Sequence, residues 1–273
     1  MPKEPFFDKS NLQNVRAKKF LGQHFLRDLS VAERIASAID YEAIDHLVEI
    51  GPGTGVLTQY LISKPIDLTA FEVDRDSIAY LETHLKNDLD SNFTILDQDF
   101  LKAELKTIST KSRLGIIGNF PYNISSQIVF KALENRDLVV EFVGMFQKEV
   151  AQRICASSGN KTYGILSVLT QAFFETEYLF TVPPQVFSPP PKVDSGVIRL
   201  KRRADYKLHC DEDLFFKVVK TAFQQRRKTL RNSLKTFNLS DVLKVDPIFA
   251  KRPERLSYPE FVELTNKIEQ DAV

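Results

Sequence analysis

The chain has little cysteine: Cys155 and Cys210 among 273 residues, with no Cys-x-x-Cys pair. That disfavours both a disulfide scaffold and a thiolate metal site, and two thiols in a reducing cytoplasm is the expectation. Histidine is equally sparse. His24, His46, His84 and His209 lack the spacing of a ligand set, so no metal is expected. An excess of one charge is missing too. The 37 Lys and Arg against 36 Asp and Glu leave a net charge of +1, so affinity for nucleic acid must come from local clustering. No apolar run approaches the ~20 residues needed to span a bilayer. Met1-Pro2-Lys3-Glu4-Pro5 has neither the basic nor the apolar region of a secretory signal. No internal repeat or low-complexity tract stands out. What is present is an ordinary globular composition, 43% hydrophobic and 27% charged, long enough for one large domain and one small one.

Strand-like and helical stretches alternate through the first two thirds. Residues 1–20 are polar and basic, with Arg16, Lys18 and Lys19. A helix is expected from Ser30, with Ser30 and Glu33 as a capping box and Val31, Ile35 and Ile39 as its apolar stripe. Strands are expected at 47–50, 68–73, 93–96, 114–118 and 139–146, with helices carrying Leu57 to Leu61, Ile78 to Leu85, and residues 126–134. This alternation predicts a doubly wound, mostly parallel sheet. Residues 178–182 and 197–200, joined by a proline-rich loop, read as an antiparallel pair at one edge. The remainder is helical: a stripe from Leu214 to Ala222, a helix near 227–237, and a last helix capped by Ser257 and Glu260. The domain boundary is expected in the polar stretch 202–210, giving residues 1–203 and a small all-α domain, 204–273.

Two motifs carry chemistry. Gly51-Pro52-Gly53-Thr54-Gly55 follows the first of these strands, where open parallel sheets bind ligands. Its spacing is G-x-G-x-G, not the dinucleotide G-x-G-x-x-G. It suits a cofactor without a pyrophosphate, such as S-adenosylmethionine, which needs close backbone approach more than anion binding. Glu72 ends the next strand, where a carboxylate can accept ribose hydroxyls. Asp99 is a candidate for the adenine amino group, with Asp97 as its competitor and a plain helix cap as the alternative. The second motif is Asn119-Phe120-Pro121-Tyr122. The Asn119 side-chain oxygen and the Phe120 carbonyl can accept both hydrogens of an NH2 group, Pro121 favours an extended Phe120, and Tyr122 offers a stacking face. Two such acceptors favour the tetrahedral, nucleophilic nitrogen of a methyl-transfer transition state. Further on, Lys217, Lys220, Arg226, Arg227, Lys228, Arg231 and Lys235 fall in an acid-free run. Arg199, Lys201, Arg202 and Arg203 form a second basic cluster. They read as an RNA footprint or as solvated faces.

The chain resembles the adenine-N6,N6-dimethyltransferases of ribosomal RNA, most closely the bacterial small-subunit branch. The resemblance rests on Lys18 to Leu26, Glu49 to Gly55, Phe71 to Asp74, Asp99, Asn119 to Tyr122, Val186 to Ser195 and Phe223 to Arg231. It implies a Rossmann-like class I methyltransferase fold with an antiparallel edge, and S-adenosylmethionine as cofactor. By resemblance, His24, Leu26, Gly51, Gly53, Glu72, Asp99 and Asn119 meet the cofactor; family members often carry Asn where His24 stands. Asn119, Phe120 and Tyr122 act in catalysis, and Tyr122 and Phe187 hold the target adenine. Phe187 also reads, from the residues alone, as core packing. Arg226, Arg227, Lys228 and Arg231 bind RNA. The implied substrate is a pair of adjacent adenosines in a loop near the 3′ end of 16S rRNA, in an assembling small subunit, and the implied enzyme is a cytoplasmic monomer. Three other readings stand beside it. These are a large-subunit rRNA methyltransferase conferring macrolide resistance, a non-catalytic RNA-binding assembly factor, and, much less suited to the glycine spacing, a nicotinamide-dependent dehydrogenase.

Overall fold

The computed structural model describes residues 15–85, 92–108 and 113–271. The expectations for residues 1–14 lie outside them.

After the two-residue strand β1 (Phe25–Leu26) comes helix α1 (Leu29–Ala36). Its cap is Asp28, not Ser30: the Asp28 carboxylate accepts the N–H groups of Ser30 at 2.9 Å and Val31 at 3.2 Å, and also the Ser30 hydroxyl. A carboxylate at the N-cap complements the helix dipole better than a hydroxyl, and Ser30 falls inside the first turn. The central sheet then builds from β2 (His46–Ile50), β3 (Asp67–Glu72), β4 (Phe93–Asp97), β5 (Leu114–Asn119), β6 (Val139–Gln147), β7 (Phe174–Val182) and β9 (Ser195–Arg202). The short β8 (Phe187–Ser188) pairs instead with β1.

The sheet order is β4-β3-β2-β5-β6-β9-β7. Pairs among β2 to β6 are parallel, and β9 runs antiparallel to β6. The chain lays β3 and β4 on one side of β2, then crosses to put β5 on the other. The crevice at the ends of β2 and β5 is therefore the topological switch point, where such sheets bind ligands. It receives the glycine turn from β2 and Asn119 from β5.

Helices α2 (Thr58–Leu61), α3 (Arg75–Leu85), α4 (Leu105–Ile108) and α5 (Ser125–Glu134) connect these strands. Strands β2 and β5 are buried almost throughout because they are covered on both sides; β5 is apolar up to Asn119, whereas β2 also buries His46 and Glu49. Leu47, Ile117, Val143 and Met145 pack with Val31, Ile35 and Leu61 in one core. Glycine has a steric role here. A Cβ on Gly144 would lie 2.0 Å from the Phe120 ring, and one on Gly118 2.8 Å from it, so both glycines make room for that ring.

Two further helices, α6 (Lys148–Ile154) and α7 (Ile165–Phe173), were not anticipated. The chain divides into two compact units. One comprises Met1–Ala151 with Glu177–Lys201, the other Gln152–Thr176 with Arg202–Val273. The crossing at 201/202 falls beside the expected boundary, but the second unit also takes 152–176. The reason is burial: α7 is buried on nearly every face, Ser167 and Thr170 included, and packs against α8 (Glu212–Gln224) and α11 (Tyr258–Asp271). The helix expected over 227–237 is broken. Gln225 leaves helical geometry, and Thr229 is extended (φ −68°, ψ 157°). Only α9 (Leu230–Ser233) and a 3-10 turn follow, before α10 (Asp241–Lys244). Ser257 and Glu260 do cap α11, through the Ser257 N–H and hydroxyl.

Candidate active site

A cavity of about 220 Å³ opens at the switch point, roomy enough for a ligand rather than a few waters. One wall is the donor side expected from the glycine motif. Gly51 has φ +66° and Gly53 φ +57°, in the left-handed region that glycine alone enters without strain. A Cβ at Gly53 would lie 2.9 Å from the Phe25 ring, so the turn is also closed to any side chain.

Glu72 sits at the end of β3, almost fully buried. Its carboxylate accepts three backbone N–H groups: Val73 at 2.8 Å, Asp74 at 2.9 Å and Gly53 at 3.1 Å. Burial raises its pKa, and those three donors, with Asp74 first, pull it back. Glu72 is thus the strut that fixes the glycine turn as well as the acceptor at the cavity wall. Asp99 also lines the cavity, and caps the following 3-10 turn through the Leu101 N–H at 2.9 Å. Asp97 does not line it.

The other wall comes from β5. The Asn119 amide nitrogen donates to the His24 carbonyl at 2.9 Å. That bond fixes the amide orientation and leaves its oxygen as an acceptor. Phe120 buries its ring between Phe142 and Phe146, at 5.2 and 5.3 Å between centroids. The ring is an anchor, and the backbone carbonyl is the functional group. Among the described residues no donor reaches that carbonyl. The Tyr122 hydroxyl bonds the buried Ser195 hydroxyl at 2.6 Å, and its ring lies 5.4 Å from His24, tilted 30°. Burial raises the Tyr122 pKa, so the phenol is neutral near pH 7.

A strap formed by residues 18–24 borders both walls. Lys18 reaches Asp74 at 2.5 Å and Asp76 at 2.8 Å, and the Gln23 amide donates to Asp74 at 2.9 Å. The His24 ring meets the Pro189 carbonyl at 2.8 Å.

The cavity therefore unites His24, Gly51, Gly53, Glu72, Asp99, Asn119, Phe120 and Tyr122. Leu26 and Phe187 are both 4% exposed and belong to the core; neither lines this cavity, and Leu26 lines a small neighbouring one with Gly51, Gly53 and Asn119. The cause is the β1–β8 ladder, which pairs Leu26 with Phe187 and directs both inward. Ser195, Lys18, Gln23 and Asp74 were missed as site residues. Their sequence signal was that they lie within the segments that carry the resemblance.

The basic clusters also separate. Arg199 pairs with Glu177 at 2.6 Å, Lys201 with Asp40 at 3.8 Å and Arg203 with Glu175 at 4.0 Å. Arg202 stacks on Tyr206. This cluster has partners within the protein, three of them carboxylates. Arg227, Lys228 and Arg231 are exposed, with no carboxylate partner among the described residues. Arg226 donates to the Lys161 carbonyl at 2.5 Å and is half-buried.

The donor set fits S-adenosylmethionine. Among the described residues the cavity is lined by two carboxylates and by no Lys or Arg. That suits a cationic, phosphate-free ligand and disfavours a dinucleotide. Fold and site together define a class I adenine-N6 methyltransferase.

Comparison with known proteins narrows the class. The ribosomal RNA adenine dimethylase family matches residues 14–248, and the chain belongs to that family. It is 58% identical to the ribosomal RNA small subunit methyltransferase A of Flavobacterium johnsoniae, over 96% of this chain and 99% of that one. The same-named protein of Bacteroides fragilis is 53% identical, over 94% and 93%. Among solved structures, a dimethyladenosine transferase from Plasmodium falciparum superposes with a TM-score of 0.80 at 25% identity, covering 92% of this chain and 99% of that one. The 23S rRNA methyltransferase ErmE gives 0.68 at 26%, covering 90% and 100%.

Proposed function

We propose that the protein dimethylates N6 of two adjacent adenosines in a loop near the 3′ end of 16S rRNA. It acts as a cytoplasmic monomer on an assembling small subunit. Two supports carry this reading. The small-subunit relatives match along nearly their whole length, and the acceptor wall keeps two unpaired oxygens for one NH2 group.

S-adenosylmethionine supplies an electrophilic methyl on its sulfonium, so the protein's task is positioning and electrostatics. In this reading Glu72 and Asp99 hold the ribose and the adenine, and the Gly51–Gly53 turn admits the donor backbone-close. Asn119 Oδ1 and the Phe120 carbonyl accept the two N6 hydrogens and favour a nitrogen lone pair aimed at the methyl. Tyr122, braced by Ser195 and flanked by His24, stacks the base. An adenine must leave its stack to reach this pocket, so the substrate is single-stranded or looped. Arg227, Lys228 and Arg231 contact phosphates, with Arg226 holding their turn in place. Phe187 supports the pocket from the core.

The test is labelled methyl transfer to unmethylated small-subunit particles, with large-subunit rRNA in parallel and nucleoside digestion afterwards. Dimethyladenosine from the small-subunit sample alone is the expected result. Label in large-subunit rRNA would move the protein to the macrolide-resistance branch.

A further inference from the structure

A second cleft lies in the same unit as the cavity and shares one wall with it. Phe25 lines both. On its far side stand Arg16, Arg27, Thr54, Ser188 and Pro189. Two arginines thus line one cleft with two hydroxyl residues, and no acidic residue lines it among the described residues. Neither arginine has a carboxylate partner among those residues. The nearest acid in sequence to Arg27 is Asp28. Its carboxylate is already committed to the N-cap of α1, through the N–H groups of Ser30 and Val31. Two unneutralised cations in a cleft with hydroxyl donors match an oxyanion, and arginine forks fit phosphate oxygens bidentately.

We propose that Arg16 and Arg27 clamp a backbone phosphate of the RNA strand that carries the target adenosine. The inference rests on the methyltransferase reading above. Its added content is the path of the strand. A base held in the cavity leaves its neighbouring sugar-phosphates outside it, and the inferred path carries one of them past Phe25, which lines both compartments, into the cleft. His24 joins the two compartments physically: its carbonyl orients Asn119, and its ring bonds the carbonyl of Pro189, a residue lining the cleft. A phosphate seated there would thus set the register of the strand relative to Asn119.

The experiment uses the full chain and its Arg16→Gln/Arg27→Gln double variant. Association of a fluorescent RNA hairpin with an unpaired adenosine loop is followed across a salt series. Donor affinity is measured separately by calorimetry, and folding by circular dichroism. The expected result is RNA affinity lower by about tenfold, with a salt slope shallower by about 0.7 for one lost phosphate contact on a single strand. Donor affinity should be unchanged, and the Arg16→Lys/Arg27→Lys variant should recover part of the loss. Unchanged RNA affinity and slope in a folded Gln variant would overturn the proposal. So would a parallel fall in donor affinity, which would assign the cleft to the donor's carboxylate. Saturating inorganic phosphate should compete with RNA in the parent protein but not in the Gln variant. Equal competition in both would place the anion elsewhere. If the parent protein itself failed to bind the RNA, the fault would lie with the functional reading rather than with the cleft alone.

Discussion

The two walls of the cavity solve opposite problems with similar groups. On the donor wall, Glu72 already accepts three backbone N–H groups and Asp99 accepts one. Those carboxylates hold the loops that hold the ligand, so this wall is formed in advance. On the acceptor wall, Asn119 uses only its amide nitrogen on protein, and the Phe120 carbonyl has no donor among the described residues. Acceptors left open at the end of a buried strand are costly unless a ligand or water satisfies them. The donor wall is therefore built for shape, and the acceptor wall for an incoming NH2. Substitutions on the first should act on donor affinity, and on the second on the chemical step.

Glu72→Gln gives the largest effect on the donor wall. It turns an acceptor toward backbone N–H groups into a partial donor. Donor dissociation, followed by calorimetry, should weaken by about 10- to 100-fold, the range for hydrogen bonds to a charged group. A comparable loss in the rate at saturating donor would blur the division between the walls. Neutralising Arg227, Lys228 and Arg231 together changes no residue that lines the cavity. It should flatten the salt dependence of RNA association by a slope of about 2, for three phosphate contacts, and leave donor affinity alone. Ser195→Ala removes only the brace on Tyr122. The rate should fall about fivefold, the worth of one neutral hydrogen bond, and Tyr122→Phe should match it. Unequal losses would mean that the hydroxyl of Tyr122 has a second role.

The smallest expected effect concerns Glu49, one strand over from Glu72 and equally buried. Burial pushes its pKa up to about 8 from an ordinary 4.5, with the Thr58 hydroxyl opposing the rise and the Glu72 carboxylate adding to it. The unfolded chain gives up this proton near pH 4.5, while the folded chain keeps it to about pH 8. Between those values the unfolded state binds fewer protons, so this group makes stability fall as pH rises. Glu49→Gln should flatten that fall in denaturant titrations between pH 5 and 8, with little change at pH 5. An unaltered slope would show that Glu49 is ionised in the folded protein.

Much of this site was legible in the sequence because strand ends announce themselves. A buried apolar run followed by glycines, an acid, or Asn-Phe-Pro-Tyr fixes which residues reach the crevice, and Gly51, Glu72 and Asn119 all arrive there. What failed was information that lies in pairing between distant segments. Phe187 reads from the residues alone as either a base contact or core, and only the two-residue ladder with Leu26 shows that its ring packs in the core. The basic residues 199–203 looked free, yet Glu177, Asp40 and Glu175 neutralise three of them across strands and loops. Helix α7 went unread although its apolar stripe is as regular as that of α8, because Gly164 stands at its N-cap position and no capping side chain marks its start. Phe120 was read for its carbonyl, but Gly118 and Gly144 are there for its ring, and no local pattern links them.

The central claim is that Asn119 acts in the transfer step through its open oxygen. Single-turnover methyl transfer by Asn119→Ala, at saturating donor on unmethylated small-subunit particles, tests it most directly. The account predicts a rate lower by about 100- to 1,000-fold, as for loss of one preorganised transition-state contact, with RNA association retained and donor affinity changed far less than the rate. A variant that methylates at the parent rate would contradict it.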